Sequence, residues 1–120
     1  GEFRTRFPEL GEPTLETVRA AAKESGATVV AKGARTIMCA PRGECFIDLE
    51  GTPVLGTAGS GDVLTGIIAG VLASHRDRDP LTAVAMGVWM HGRAGRIAAL
   101  AASTPTAVDI GHACVEVFAQ

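Results

Sequence analysis

Between Thr57 and Asp62 the chain reads Thr-Ala-Gly-Ser-Gly-Asp and passes directly into an apolar stretch over residues 63–72. Glycines at 59 and 61, among small neighbours, let the backbone turn tightly and bring successive N–H groups close to a ligand, where a Cβ would stand in the way. After this loop the apolar residues fall at 63, 64, 67, 68, 71 and 72, the spacing of one helix face. The loop is therefore expected at a helix N-terminus, where unpaired N–H groups and the positive end of the macrodipole favour a phosphate or a developing oxyanion. Asp62 has two readings, a first-turn carboxylate that only complements the dipole or an acid at the edge of an anion site. Glycine on both sides of Ser60 costs backbone entropy that a helix cap does not require, which favours the second.

What surrounds the loop must be built mostly from aliphatic side chains. Of the 120 residues 47% are apolar, yet only four Phe and one Trp are aromatic and there is no Tyr. Fifteen glycines in a chain of net charge −2 imply close packing of elements rather than disorder. Eleven basic and thirteen acidic residues form no long run, which excludes a polybasic nucleic-acid or membrane surface. The longest apolar run, residues 67–73, is too short to span a bilayer, and the first residues lack the pattern of a signal peptide. Cys39, Cys45 and Cys114 show neither a CxxC pair nor Cys/His ligand spacing, and they read as reduced core thiols of a cytoplasmic protein.

In chain order, Thr14 is placed to cap a helix over residues 15–25, with Glu16 in its first turn and Gly26 as its C-cap. Residues 27–31 read as a buried strand, so helix, glycine and strand form half of a βαβ unit and an α/β fold is expected. Strands over 36–40 and 45–49, joined by Pro41-Arg42-Gly43-Glu44, predict a β-hairpin. A charged loop over 74–80 precedes a second long helix, with Asp79 as its cap and Pro80 in its first position. That helix, over 81–102, carries Ala85, Gly92, Gly95 and Ala99, small enough for a second helix to approach closely. A terminal helix over 106–118 follows the break at Ser103-Thr104-Pro105. Gly66-x-x-x-Gly70 is read as a further close-packing feature, His91 as a structural histidine, and His75 and His112 as surface positions.

The segment Thr57-Ala58-Gly59-Ser60-Gly61-Asp62-Val63-Leu64-Thr65-Gly66 resembles the signature of the ribokinase-like superfamily. Three further stretches narrow the resemblance to the NAD(P)H-hydrate dehydratases, the nicotinamide nucleotide repair enzymes. They are Val29 through Thr36 (Val-Val-Ala-Lys-Gly-Ala-Arg-Thr), the lead-in Gly51 through Gly56, and Gly87 through Gly95. The resemblance covers nearly the whole chain and implies a three-layer α/β/α fold, of which residues 1–120 form the C-terminal portion. In that family a His-Pro-Gly-Glu segment leads into a stretch similar to residues 3–10, so the chain is expected to begin in mid-domain.

The resemblance implies an ADP- or ATP-dependent dehydration of hydrated NADH or NADPH, with Mg2+ neutralising the phosphates. Lys32, Gly33, Ala34, Arg35 and Thr36 are carried over as nucleotide-contacting positions, together with Thr57, Gly59, Ser60 and Gly61. Two cations beside a diphosphate lower the cost of bringing it near Asp62. Asp62 is carried over as the catalytic and substrate-meeting acid, taking or relaying a proton beside N–H groups that stabilise negative charge. Read from the residues alone, Lys32 is equally a surface lysine at a strand end and Glu50 a solvated turn residue. Ser60 lacks the Gly-x-Ser-x-Gly elbow and any identifiable base, which argues against a nucleophile.

In the superfamily's kinases the same acid activates a substrate hydroxyl toward a γ-phosphate, so a hydroxymethylpyrimidine or thiazole kinase remains an alternative. An inert truncated lobe is another. The expected ligands are NAD(P)H hydrate and an adenine nucleotide, without nucleic acid or membrane. The expected protein partner is a second copy in a homo-oligomer or a chain supplying the N-terminal part, because an open sheet edge has to be covered.

Overall fold

The computed structural model describes residues 2–33, 35–49, 59–101 and 104–119. They fall into two compact units, residues 1–49 and 50–120.

The first unit opens with a short helix, α1 (Glu2–Arg6); Phe3 within it and Phe7 just after it have ring centroids 5.4 Å apart. This helix was not expected, because five residues are too few to show a periodic face. Helix α2 (Leu15–Ser25) begins and ends where local chemistry dictates. The Thr14 hydroxyl accepts the Thr17 N–H at 3.1 Å and the Thr17 hydroxyl accepts the Thr14 N–H at 2.7 Å, a reciprocal capping box. Gly26 then turns left-handed at φ 70° and donates its N–H to Ala22 O, ending the helix.

Strands β1 (Val29–Ala31), β2 (Thr36–Cys39) and β3 (Cys45–Asp48) form an antiparallel sheet in the order β1-β2-β3. Among the described strands β1 therefore has a partner on one edge only. Val18 and Ala22 of α2 pack on Ala31 and Cys39, flanked by Val29, Ile37 and Cys45, so α2 covers one face of this sheet. The β2–β3 hairpin closes through Pro41-Arg42-Gly43. Gly43 donates its N–H to Ala40 O at 3.0 Å and holds a positive φ of 103°, while the Ala40 N–H reaches Glu44 O at 2.8 Å. Arg19 Nε donates to Gly43 O at 3.1 Å and ties α2 to the same turn.

The expectation of three reduced thiols is corrected here, because Cys39 and Cys45 form a disulfide. With Ala40 and Glu44 hydrogen-bonded, the next pair in register, Cys39 opposite Cys45, is the narrow type in which side chains lie closest, with Cα atoms 4.1 Å apart. Cys114 is the free cysteine, buried, and burial pushes its thiol pKa up. An inference of cytoplasmic location from three reduced thiols loses that support.

The second unit is helical among its described residues: α3 (Ser60–Ser74), α4 (Pro80–Ala101) and α5 (Ala107–Ala119). Ile67 and Val71 of α3, Ala83, Ala94 and Ala98 of α4, and Ile110, Ala113 and Val117 of α5 form its aliphatic core. Of the expected face of α3, Leu64, Ile67 and Val71 are buried and Val63 and Ile68 half-buried, whereas Leu72 is exposed. Asp79 accepts the Thr82 N–H at 3.4 Å and Pro80 takes the first position of α4, as expected. At the head of α5 the Thr106 backbone N–H and hydroxyl donate to Asp109 at 2.8 and 3.0 Å, and the Asp109 N–H returns to the Thr106 hydroxyl at 3.3 Å.

A second correction concerns the glycines. Gly66 and Gly70 lie on the exposed side of α3, and a Cβ at either would meet nothing within 4 Å. The close approach is made by Gly87 of α4, where a Cβ would stand 2.9 Å from Ile68 Cγ1 and 3.3 Å from Ile68 Cα. Among the described residues no helix is long and apolar enough to cross a membrane.

Candidate functional site

The head of α3 is assembled from backbone, not from a capping side chain. Gly59 is the N-cap, left-handed at φ 85° and ψ −8°, and it provides no side-chain hydrogen bond to the first turn. Its carbonyl accepts both the Asp62 N–H at 3.1 Å and the Val63 N–H at 3.3 Å. Serine, threonine, aspartate or asparagine at an N-cap would bond one of the first-turn N–H groups through its side chain; Gly59 supplies no such bond, so the Ser60 and Gly61 N–H groups have no capping side chain. A side chain at position 59 would in any case be obstructed, since its Cβ would stand 3.1 Å from Ala107 Cβ at the start of α5.

Gly61 is half-buried, and Asp62 is exposed in the first turn, where a carboxylate is favoured by the dipole. Ser60 is buried at 1% exposure, and its Oγ lies 3.0 Å from His91 Nε2 on α4, itself 5% exposed. The base that the sequence did not identify is thus present. The pair is still not a nucleophile with its base, because a hydroxyl with 1% exposure is closed to a substrate. His91 does occupy a structural, buried position, as expected. His75 is the C-cap of α3, half-buried, with Nδ1 3.2 Å from Val71 O, and His112 is exposed.

Lys32, Gly33 and Arg35 lie in the exposed turn between β1 and β2, with Thr36 half-buried at the start of β2. The turn brings the two cationic side chains to one end of the sheet. Lys32 also lines a cavity of about 1080 Å3 within the first unit, together with Phe3, Arg4, Phe7, Val29 and Ala31. Arg4 there pairs with Glu12 at 2.9 Å. Ala34, Glu50 and Thr57 lie outside the described residues.

Sequence reading missed two features of this site, the Ser60–His91 bond and the contact of Gly59 with α5. A signal for the first existed. His91 shares the helical period of Val84, Val88, Gly95 and Ala98 on the buried face of α4, and a buried imidazole needs a partner.

With this geometry in view, comparison with known proteins is specific. The family model described as NAD(P)H-hydrate dehydratase matches residues 1–114. A bifunctional NAD(P)H-hydrate repair enzyme of Thermosynechococcus vestitus is 46% identical over 97 residues, covering 78% of this chain and 19% of the relative. An ADP-dependent (S)-NAD(P)H-hydrate dehydratase of Xanthomonas campestris is 44% identical over 75 residues, covering 62% of this chain and 25% of the relative. The solved structure of YxkO from Bacillus subtilis superposes with a TM-score of 0.78 at 30% identity, over 87% of this chain and 39% of that one. The chain therefore spans only a minor part of the length of each. The fold is of the ribokinase-like α/β class, and the chain belongs to the NAD(P)H-hydrate dehydratase family.

Proposed function

We propose that this chain is the C-terminal portion of a domain that removes water from hydrated NADH or NADPH at the expense of a nucleotide phosphoryl group, with ADP the favoured donor. The observation that carries the reading is the head of α3: a left-handed glycine N-cap without a capping side chain, followed one turn on by the exposed Asp62. The names of the relatives support the reaction, and the Xanthomonas campestris protein supports ADP.

Hydroxide is a poor leaving group and phosphate a good one. Asp62 takes the proton from the hydroxyl of the hydrated nicotinamide ring as that oxygen bonds to the terminal phosphorus of the nucleotide and the bridging P–O bond breaks. The Gly61 N–H and the positive end of the α3 dipole hold negative charge on the transferring group. Loss of inorganic phosphate and of the proton on the adjacent ring carbon then restores the double bond of the reduced nicotinamide. Lys32, Gly33, Ala34, Arg35 and Thr36, with Thr57, Gly59 and Gly61, are proposed as nucleotide contacts; Ser60, expected among them, is closed to a ligand at 1% exposure. Among the described residues no three His, Cys, Asp or Glu side chains group to hold a metal ion. A Mg2+ would be carried mainly on the nucleotide phosphates, with Asp62 the carboxylate placed to stand beside it. The open edge of β1 is proposed to be covered by the rest of the domain.

The test is recovery of reduced-nicotinamide absorbance from NADH hydrate with Mg2+ and ADP, ATP or no nucleotide. It is run on the protein carrying this chain and on its Asp62→Asn variant. Nucleotide-dependent recovery that falls by about a hundredfold or more in the variant is expected. A stable phosphorylated product accumulating in proportion to nucleotide consumed, without recovery, would overturn the reading in favour of a small-molecule kinase.

A further inference from the structure

We infer that His91 is a positioning residue for the anion loop and acts on it through Ser60. The inference rests on the reading of the α3 head as a phosphate site, and it is carried by the 3.0 Å contact between Ser60 Oγ and His91 Nε2. In Gly59-Ser60-Gly61 the serine is the one residue whose side chain can anchor the backbone to anything. Gly59 supplies no cap, and both flanking glycines have more backbone freedom than any other residue. The Asp62 and Val63 N–H groups are held by the Gly59 carbonyl, but the placing of the Ser60 and Gly61 N–H groups at the very head is not set by the loop's own sequence. It is set from outside, by His91 holding Ser60 from α4, while Ala107 of α5 occupies the space a side chain at 59 would need.

His91 is itself held firmly. It lies in mid-α4 on the buried face with Gly87, Val88 and Ala94, and Gly87 brings that helix against the backbone of Ile68 in α3. A neutral imidazole presents one donor and one acceptor nitrogen, and a serine hydroxyl can serve either, so the bond forms in both tautomers. At 1% and 5% exposure water does not compete for either group. A bare structural role would require only that both buried groups be satisfied. The positioning role adds that N–H groups aimed in advance do not have to be ordered when the phosphate arrives.

The test uses Ser60→Ala, His91→Leu, His91→Gln and the Ser60→Ala/His91→Leu double variant in the protein carrying this chain. Two quantities are read: amide hydrogen exchange at residues 59–63 against residues 67–74 of α3, and the Kd for ADP. Ser60→Ala and His91→Leu are expected to speed exchange at the helix head by tenfold or more while residues 67–74 stay unchanged. Each weakens ADP binding on the order of ten- to a hundredfold. The double variant is no worse than the poorer single one, because both remove the same bond. His91→Gln, which returns an amide to roughly the place of Nε2, recovers most of both quantities.

Unchanged exchange at the head in Ser60→Ala, or losses that multiply in the double variant, would overturn the inference. Should His91→Leu fail to fold, Ser60→Ala, which removes only a hydroxyl, decides alone. Exchange that responds as described in a protein that binds no ADP would uphold the positioning role and sink the nucleotide reading instead.

Discussion

Replacing Gly87 by alanine tests how closely α3 and α4 approach. The added methyl would stand 2.9 Å from Ile68 Cγ1, 3.3 Å from Ile68 Cα and 3.5 Å from Ile68 N. Carbon atoms prefer about 3.5–4.0 Å, so the first two contacts are too short. The Cγ1 contact can be relieved in part by rotation of Ile68, but Cα is backbone and moves only with its helix. The helices must part by a few tenths of an ångström, and overpacking of this kind costs about 1–3 kcal/mol. Alanine recovers about 1 kcal/mol of helix propensity, leaving Gly87→Ala neutral to about 2 kcal/mol less stable.

Gly70→Ala is the matched control. It gains the same propensity on an exposed face where a Cβ meets nothing within 4 Å. The difference between the two variants isolates the clash, about 1–3 kcal/mol. Urea unfolding followed by fluorescence of Trp89, the chain's one tryptophan and a residue of α4, reads the second unit directly. The denaturant slope should not change. Equal stability of the two variants, or a more stable Gly87→Ala, would refute the close approach at Ile68.

Three further outcomes follow from individual contacts. Thr14→Ala removes the cap of α2 and should lower the stability of the first unit by about 1 kcal/mol, with a shift of the urea midpoint in far-ultraviolet circular dichroism as the check. Alkylation in denaturant without reductant should label one cysteine, Cys114, and all three after reduction; three labelled at once would show that Cys39 and Cys45 are not joined. The Asp109 carboxyl is held below the usual carboxylate range, first by the Thr106 backbone N–H, then by its hydroxyl, with a smaller contribution from His112. Its contribution is therefore present above the unfolded chain's carboxylate pKa and lost as pH falls through the lower folded value. Asp109→Asn should accordingly flatten the acid limb of the stability–pH curve, and an unaltered limb would count against the cap.

Elements bounded by local chemistry were legible in the sequence. Thr14 and Gly26 bracket α2, Asp79-Pro80 starts α4, and Pro41 through Gly43 turns the hairpin, each within a few residues of its cause. Helix α1 was not, because five residues show no period and the Phe3–Phe7 contact supports it in place of an apolar face. The disulfide depended on register, since residues 39 and 45 oppose each other only once the turn has fixed the pairing. Spacing alone misread Gly66 and Gly70, although the buried apolar positions 64, 67 and 71 lie on another side of α3. At the candidate site, the position of the loop and Asp62 at a helix start was legible because the glycines run straight into an apolar helical face. The partner of Ser60 was not, because it lies 31 positions away on another helix.

That last distance bears on how the motif can be moved between proteins. The ten-residue stretch from Thr57 to Gly66 is what a motif search recognises, yet two of the contacts that shape its head come from His91 and Ala107. A graft of the stretch alone onto a foreign helix would carry the letters without their supports. The transferable unit is the head of α3 with the middle of α4 and the first turn of α5.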